Sequence, residues 1–348
     1  MKIKELLISQ IKIKGRINVS QFIEICQFSE YGYYIKKEPI GRKNDFITAP
    51  EISQMFGEIL GGFLINYWDQ KIKKEFNLIE LGPGTGALIS DILRIANINK
   101  VFLNAMNVIL VEKNESLITK QKKILSNFNF HQINWIEDFN IKNNYKPSII
   151  YSNEFFDCFP IRQFFKKNKW YEKFIKYNEV EDMFNFISEE VKSKKLLKDL
   201  EKFNNVEVAE ISESRKKYFE LVCKFLRKNK GIFITIDYGY NDPLKNFSLQ
   251  TIHNHKKTHL FENIGNQDIT AYVNFNDFID IASQYNLKID LFCNQNEFLI
   301  GCGLKQRKEK LQKNKNNKTI KKIELEYERL TKKSQMGKIF KVLIVSCL

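Results

Sequence analysis

The residues of this chain able to do chemistry recur at regular intervals through its middle. Glu80-Leu81-Gly82-Pro83-Gly84-Thr85-Gly86 follows an apolar run and precedes a helix-like one. Glycine at every second position removes a Cβ where the backbone must turn sharply or lie against a ligand. The helix start behind it offers free N–H groups to a polar or anionic group. Dinucleotide sites favour Gly-x-Gly-x-x-Gly beneath a pyrophosphate. The spacing here is Gly-x-Gly-x-Gly with Glu80 two residues ahead, which suits a ligand without phosphate: the amino-acid end of S-adenosylmethionine. Glu112 ends the next apolar run, where a carboxylate can accept hydrogen bonds from both ribose hydroxyls. Asp138 and Phe139 follow a third run, an acid for an adenine amino group and a ring for its face.

A fourth run ends in Asn153-Glu154-Phe155-Phe156-Asp157. In an open α/β sheet, ligands bind beyond the carboxyl ends of the strands, which puts Asn153 and Glu154 beside a methyl donor. Methyl transfer from a sulfonium is an in-line displacement, so the protein's main task is alignment. An arginine acceptor stays charged and calls for a carboxylate to hold it bidentately. Glu154 is the first choice for that role and Asp157 the second. Glu210 is a further acid able to complete a clamp, and turn or cap chemistry competes for both Asp157 and Glu210. His253, His255 and His259 form a His-x-His-x-x-x-His pattern without accompanying carboxylates, and no metal site is expected.

The elements that must position these groups follow from periodicity. Residues 77–81, 107–111, 133–136, 148–152 and 231–237 read as strands. Residues 87–95, 116–127 and 214–227 read as helices between them, an alternation that specifies a parallel sheet with crossover helices. The first 70 residues look mostly helical. Leu6, Leu7 and Ile11, then Val19, Phe22, Ile23 and Cys26, recur at helical spacing, with Asn18 or Ser20 as a cap, and a long amphipathic helix covers 51–70. Phe164, Trp170, Tyr171, Phe174 and Tyr177 predict short antiparallel strands inserted at about 161–205. A helix near 275–285 precedes two β-like runs, 288–293 and 297–304, and 340–345 is expected to close the sheet edge.

The 348 residues suffice for a large buried core. A net charge of +15 raises the question of nucleic acid. Lysine is spread from end to end, however, so no nucleic-acid partner is expected. The densest basic stretch, Lys305 to Lys322, reads as a solvated helix or loop, with attraction of an acidic protein as the alternative. The six cysteines include no Cys-x-x-Cys pair and fit a reducing compartment. No apolar stretch approaches the ~20 residues of a membrane span. The N-terminus has neither signal-peptide nor transit-peptide character, so the expected location is a bacterial cytoplasm, or the mitochondrial matrix in a eukaryote.

Over nearly its whole length the sequence resembles the MidA-type methyltransferases, the family that includes the mitochondrial complex I assembly-factor methyltransferase. The blocks that carry the likeness are Glu30-Tyr31-Gly32-Tyr33-Tyr34, Gly41-Arg42-x-x-Asp45-Phe46-Ile47-Thr48-x-Pro50-Glu51-Ile52-Ser53, Gln54-Met55-Phe56-Gly57-Glu58, the glycine turn, Asn153 to Asp157, Ile236-Asp237-Tyr238-Gly239-Tyr240, Gln267-Asp268-Ile269-Thr270-Ala271 and Met336-Gly337-x-x-Phe340-Lys341-Val342. The resemblance implies an α/β fold: a Rossmann-like class I methyltransferase sheet with a helical N-terminal segment, 1–70, completing the cofactor pocket. Residues 71–348 form the methyltransferase domain with its insertion. It implies S-adenosylmethionine as cofactor, with Asp45, Phe46 and Thr48 in the pocket, and N-methylation of arginine on a protein such as a complex I subunit. Tyr272 departs from the histidine usual in the family, and 251–260 lacks the usual basic and aromatic residues. A non-catalytic assembly scaffold retaining the fold, and a small-molecule methyltransferase, are the competing expectations.

Overall fold

The strand Phe76–Leu81 (β1) is buried at all six positions, so both of its faces must be covered. Successive side chains alternate between two cores. Phe76 and Leu78 join Leu64, Leu88, Ile92 and Phe298 in one, while Ile79 and Leu81 join Phe219, Val222 and Phe278 in the other. The same logic makes strands of Met106–Val111 (β2), Ser148–Asn153 (β4) and Gly231–Tyr240 (β5), while the less buried Ile133–Ile136 (β3) pairs with β2 at the sheet edge. These five pair in parallel in the order β3-β2-β1-β4-β5. The computed structural model describes residues 2–36, 48–128, 130, 132–141, 146–203 and 205–347.

Two further strands, Lys288–Asn294 (β6) and Phe340–Cys347 (β7), extend this sheet. Phe340–Cys347 does not close the edge as its sequence predicts. It inserts antiparallel between β5 and β6, giving the order β6-β7-β5-β4-β1-β2-β3, and its near-continuous burial is that of an interior strand. Residues 297–304 are also not a strand. The helix Gln295–Gly301 occupies most of them, begun by Glu297, whose carboxylate accepts the Asn294 N–H at 2.9 Å.

The insertion is an antiparallel sheet of Arg162–Lys166, Trp170–Asn178 and Met183–Glu190, edged by Val208–Ile211. The helices Lys2–Lys14 and Val19–Phe28 lie against it, with Ile11, Phe22 and Ile23 in a core shared with Ile175, Phe184 and Ile269. Asn18 caps the second of these helices, accepting the Gln21 N–H at 2.9 Å. The apolar run 51–70 divides at Ser53 into Ala49–Ile52 and Gln54–Lys71. Glu58 on the longer helix is buried and accepts from both Arg94 and Arg307, bolting three helices together. The basic stretch after 304 forms the helices Leu304–Gln312 and Asn317–Thr331. Among the described residues no helix is long and apolar enough to cross a membrane.

Candidate active site

β1 hands the chain into the glycine turn. Gly82, Gly84 and Gly86 take φ of 67°, 57° and 85°, the left-handed region that penalises a side chain. A Cβ on Gly82 would lie 2.7 Å from the ring of Phe155. Gly86 caps the helix Ala87–Ala96. Gln121, fully buried on the helix Glu115–Leu125, latches the turn: its amide donates to the Gly84 carbonyl at 2.8 Å and to Glu112 Oε2 at 3.3 Å. The Trp135 indole in turn donates to Gln121 Oε1 at 2.9 Å, fixing which way that amide faces.

The turn, β2 and the loop after β4 surround a cavity of about 450 Å³, within the range of small-molecule sites. Glu80 lines it, buried, with the Tyr151 hydroxyl donating to Oε2 at 3.0 Å. Burial pushes its carboxyl up to about 8, opposed by the Tyr151 bond and reinforced by the charge of Glu112. Glu112 is raised too, chiefly by burial, although Oε1 accepts the N–H groups of Lys113 and Asn114 at 2.9 and 3.0 Å. Asp138 stands at the mouth, largely exposed and 2.7 Å from Lys113. Phe139 does not line the cavity; it is buried in the core against Phe225 and Tyr218.

After β4 the backbone enters the left-handed region at Glu154, φ 51°. For a residue with a Cβ this costs on the order of 1 kcal/mol and persists when the surroundings dictate it. They do. The Glu154 N–H donates to Ile236 O at 2.9 Å, and buried Asp237 accepts the N–H groups of Phe155, Phe156 and Tyr238. Arg215 clasps the far side, donating to the carbonyls of Phe156, Asp157, Ala271 and Tyr272 at 2.7–2.8 Å. So held, Glu154 Oε1 accepts from the Ala49 N–H at 3.0 Å and from Asn153 Nδ2 at 2.9 Å. Burial pushes Glu154 up to about 7, against the Ala49 bond and with the help of the Asp157 charge.

A second cavity of about 420 Å³ lies beyond this loop, lined by Glu154, Asp157, Tyr238, Asp268 and Phe340 among others. Glu154 is the one residue among those described that faces both spaces. Asp157 is raised by burial, with a hydrogen bond from Tyr238 and the Arg215 charge opposing. Tyr34 donates to Asp268 at 2.7 Å, and Tyr238 meets Phe340 edge to face.

Thr48, Glu80, Gly82, Gly84, Glu112, Asp138, Asn153 and Glu154 therefore meet at the first cavity, while Asp157 opens on the second. Asp45 and Phe46 lie outside the described residues. Glu210 lies elsewhere, engaged by Gln163 at 2.8 Å and by Ser248. His255 lines the second cavity, but no group of His, Cys, Asp and Glu among the described residues could hold a metal. Arg215, Asp237 and the cavity-lining Tyr218 are residues of the site to which the sequence alone assigns no role. Asp237 and Tyr238 stand within a family-like block, which was their available signal; Arg215 and Tyr218 had none.

Residues 59–293 match the family described as "Putative S-adenosyl-L-methionine-dependent methyltransferase". The protein arginine methyltransferase NDUFAF7, mitochondrial, of Homo sapiens is 29% identical, the match covering 96% of this chain and 81% of that protein. The NDUFAF7 homolog of Caenorhabditis elegans, carrying the same description, is 28% identical over 89% of this chain and 78% of its own length. Among solved structures, a protein from Burkholderia thailandensis bound to S-adenosyl-homocysteine superposes with a TM-score of 0.88 at 22% identity, covering 99% of this chain and 92% of that one. That likeness establishes a shared fold around a central mixed sheet.

Proposed function

The chain belongs to this family of S-adenosyl-L-methionine-dependent methyltransferases, and from that premise we propose that it N-methylates arginine on an acceptor protein. The relatives named protein arginine methyltransferase support the acceptor class, and the family resemblance makes a complex I subunit the kind of protein to try first. The observation that carries the proposal is Glu154, a carboxylate set between a cavity beside the glycine turn and a second one walled by Asp157 and Asp268. An acidic pocket backed by a tyrosine ring suits a guanidinium, which is planar, cationic and a good partner for an aromatic face.

The residues of the first cavity fit the cofactor. Asn153 Oδ1 is buried without a hydrogen-bond partner and lines this space, as a site for a ligand's N–H donors would. Glu112 would hold the ribose, Asp138 the adenine amino group, and the glycine turn the amino-acid end. S-adenosylmethionine, when bound, supplies an electrophilic methyl group on a sulfonium. Glu154 and Asp157 would hold the guanidinium so that one nitrogen faces that methyl. A carboxyl raised to about 7 is well matched to accept the proton the nitrogen must lose.

The test is incubation with labelled S-adenosylmethionine and arginine-containing proteins, followed by hydrolysis. Methylarginine is the expected product; label on lysine or on small molecules alone would refute the acceptor assignment. Gly82→Ala tests the cofactor half by calorimetry. The strained backbone and the overlap with Phe155 are expected to weaken S-adenosylmethionine binding about tenfold, and unchanged affinity would remove the turn from the site.

A further inference from the structure

The helix Asn317–Thr331 has one face committed to the core, where Leu330 is buried and Ile323 and Tyr327 pack. Its other face lines a groove of about 390 Å³ with Lys318, Lys321, Lys322, Leu325 and Arg329, which share one side of the helix at spacings of three and four. Ile52 and Glu51 form the opposite wall. The helix's other carboxylates are already paired away from the groove, Glu324 with Lys308 and Glu328 with Lys332. Lys318, Lys321 and Arg329 have no carboxylate at ion-pair distance among the described residues, and Lys322 reaches Glu326 at 3.8 Å.

The groove joins the site described above. Arg329 lines both it and the second cavity. Across the way, Glu51 accepts from Thr85 of the glycine turn at 3.1 Å, and its neighbour Pro50 faces the cofactor cavity. A chain leaving the second cavity past Arg329 would therefore run along the lysines.

We propose that this groove holds an acidic stretch of the acceptor protein, within about five residues of the methylated side chain. The inference rests on the reading that the second cavity receives an arginine. Lys318 to Arg329 spans about 16 Å of helix, the length of about five residues of extended chain. Four cations face two carboxylates in the groove, so the excess attracts acid. Glu326 can accept a peptide's backbone N–H group, whereas a phosphodiester backbone has no donor to offer it. Leu325, 59% exposed, gives an apolar contact suited to a side chain.

The experiment uses the full chain and fluorescent peptides with one central arginine. Three glutamates stand on its N-terminal or its C-terminal side, and matched peptides carry glutamine instead. Anisotropy reads binding, and labelled S-adenosylmethionine reads transfer. One acidic peptide should bind about tenfold more tightly than its glutamine twin, the sum of a few exposed pairs. The triple variant Lys318→Glu, Lys321→Glu, Lys322→Glu should lose that advantage while holding the glutamine peptide as before. Acidic residues early in a helix favour the dipole, so this variant keeps its helix. Equal binding of acidic and neutral peptides to the wild type overturns the proposal. Tighter binding of a single-stranded oligonucleotide that displaces the peptide also overturns it. An acidic preference without transfer to any peptide supports the groove while removing the arginine reading, and transfer without preference does the reverse.

Discussion

Glu154→Gln is expected to lower the rate constant for methyl transfer about a thousandfold while leaving S-adenosylmethionine affinity within about threefold of wild type. Glutamine keeps the shape and keeps an oxygen for the Ala49 N–H and Asn153 amide that Oε1 now accepts. What it loses is the charge facing both cavities and the site for a departing proton. A general base typically contributes 10² to 10⁴-fold, and here the same group also aligns the acceptor. Calorimetry and single-turnover transfer on the same preparation separate the two effects. A variant within tenfold of the wild-type rate would sink the assignment and favour a scaffold that keeps the fold without the reaction.

The carboxyl's displaced titration adds two independent readouts. Burial pushes Glu154 up to about 7, and the ionised form is the useful one, so kcat/KM for the wild type should rise with pH and level off above 7. The variant's residual rate should show no such step. Stability runs the other way. A carboxyl raised in the fold contributes stability that is intact below its unfolded value of about 4.5 and is lost as pH climbs through 7. Glu154→Gln should therefore unfold at higher denaturant than wild type at pH 8, by up to about 3 kcal/mol, and the gap should close toward pH 4. Better stability with no activity is the mark of a charge kept in place for chemistry.

How legible this was depended on the range of the interactions involved. The glycine turn, the acids at strand ends and the strand-helix alternation are local: a glycine every second residue and a run such as Leu78-Ile79-Glu80-Leu81 carry their structure within a few positions. The failures involve competition or distance. Residues 297–304 hold apolar side chains at ambiguous spacing, and the helix won because Glu297 caps it through Asn294, a pairing visible three residues apart. The interior position of Phe340–Cys347 was not visible locally. Its apolar run says that both faces are covered, but not that β6 would form the edge beyond it. Phe139 follows an acid at a strand end just as a cofactor-stacking ring would, yet packing with Phe225 takes it into the core. Arg215 was hidden most completely, sitting on a helix whose composition is that of a solvated face.

Arg215→Met should be the most destabilising of the substitutions considered, costing about 4 kcal/mol or more in urea unfolding. The guanidinium is buried and makes four hydrogen bonds to backbone carbonyls, one each to Phe156, Asp157, Ala271 and Tyr272, with Asp157 and Ala271 sharing Nη2. Methionine fills similar volume but donates nothing, stranding those carbonyls where water cannot easily reach. Among the described residues no carboxylate stands at ion-pair distance from Arg215, yet its charge lowers both Asp157 and Asp237 against the burial that raises them. Without it those two carboxyls rise further. Acids raised in the fold lose stability as pH increases, so the deficit should be larger at pH 8 than at pH 5. Arg215→Lys separates the two contributions: it restores the charge but not the fork, so it should recover the pH dependence while leaving much of the loss. A deficit below about 1 kcal/mol, or one independent of pH, would show that the loop carrying Glu154 is held by other contacts.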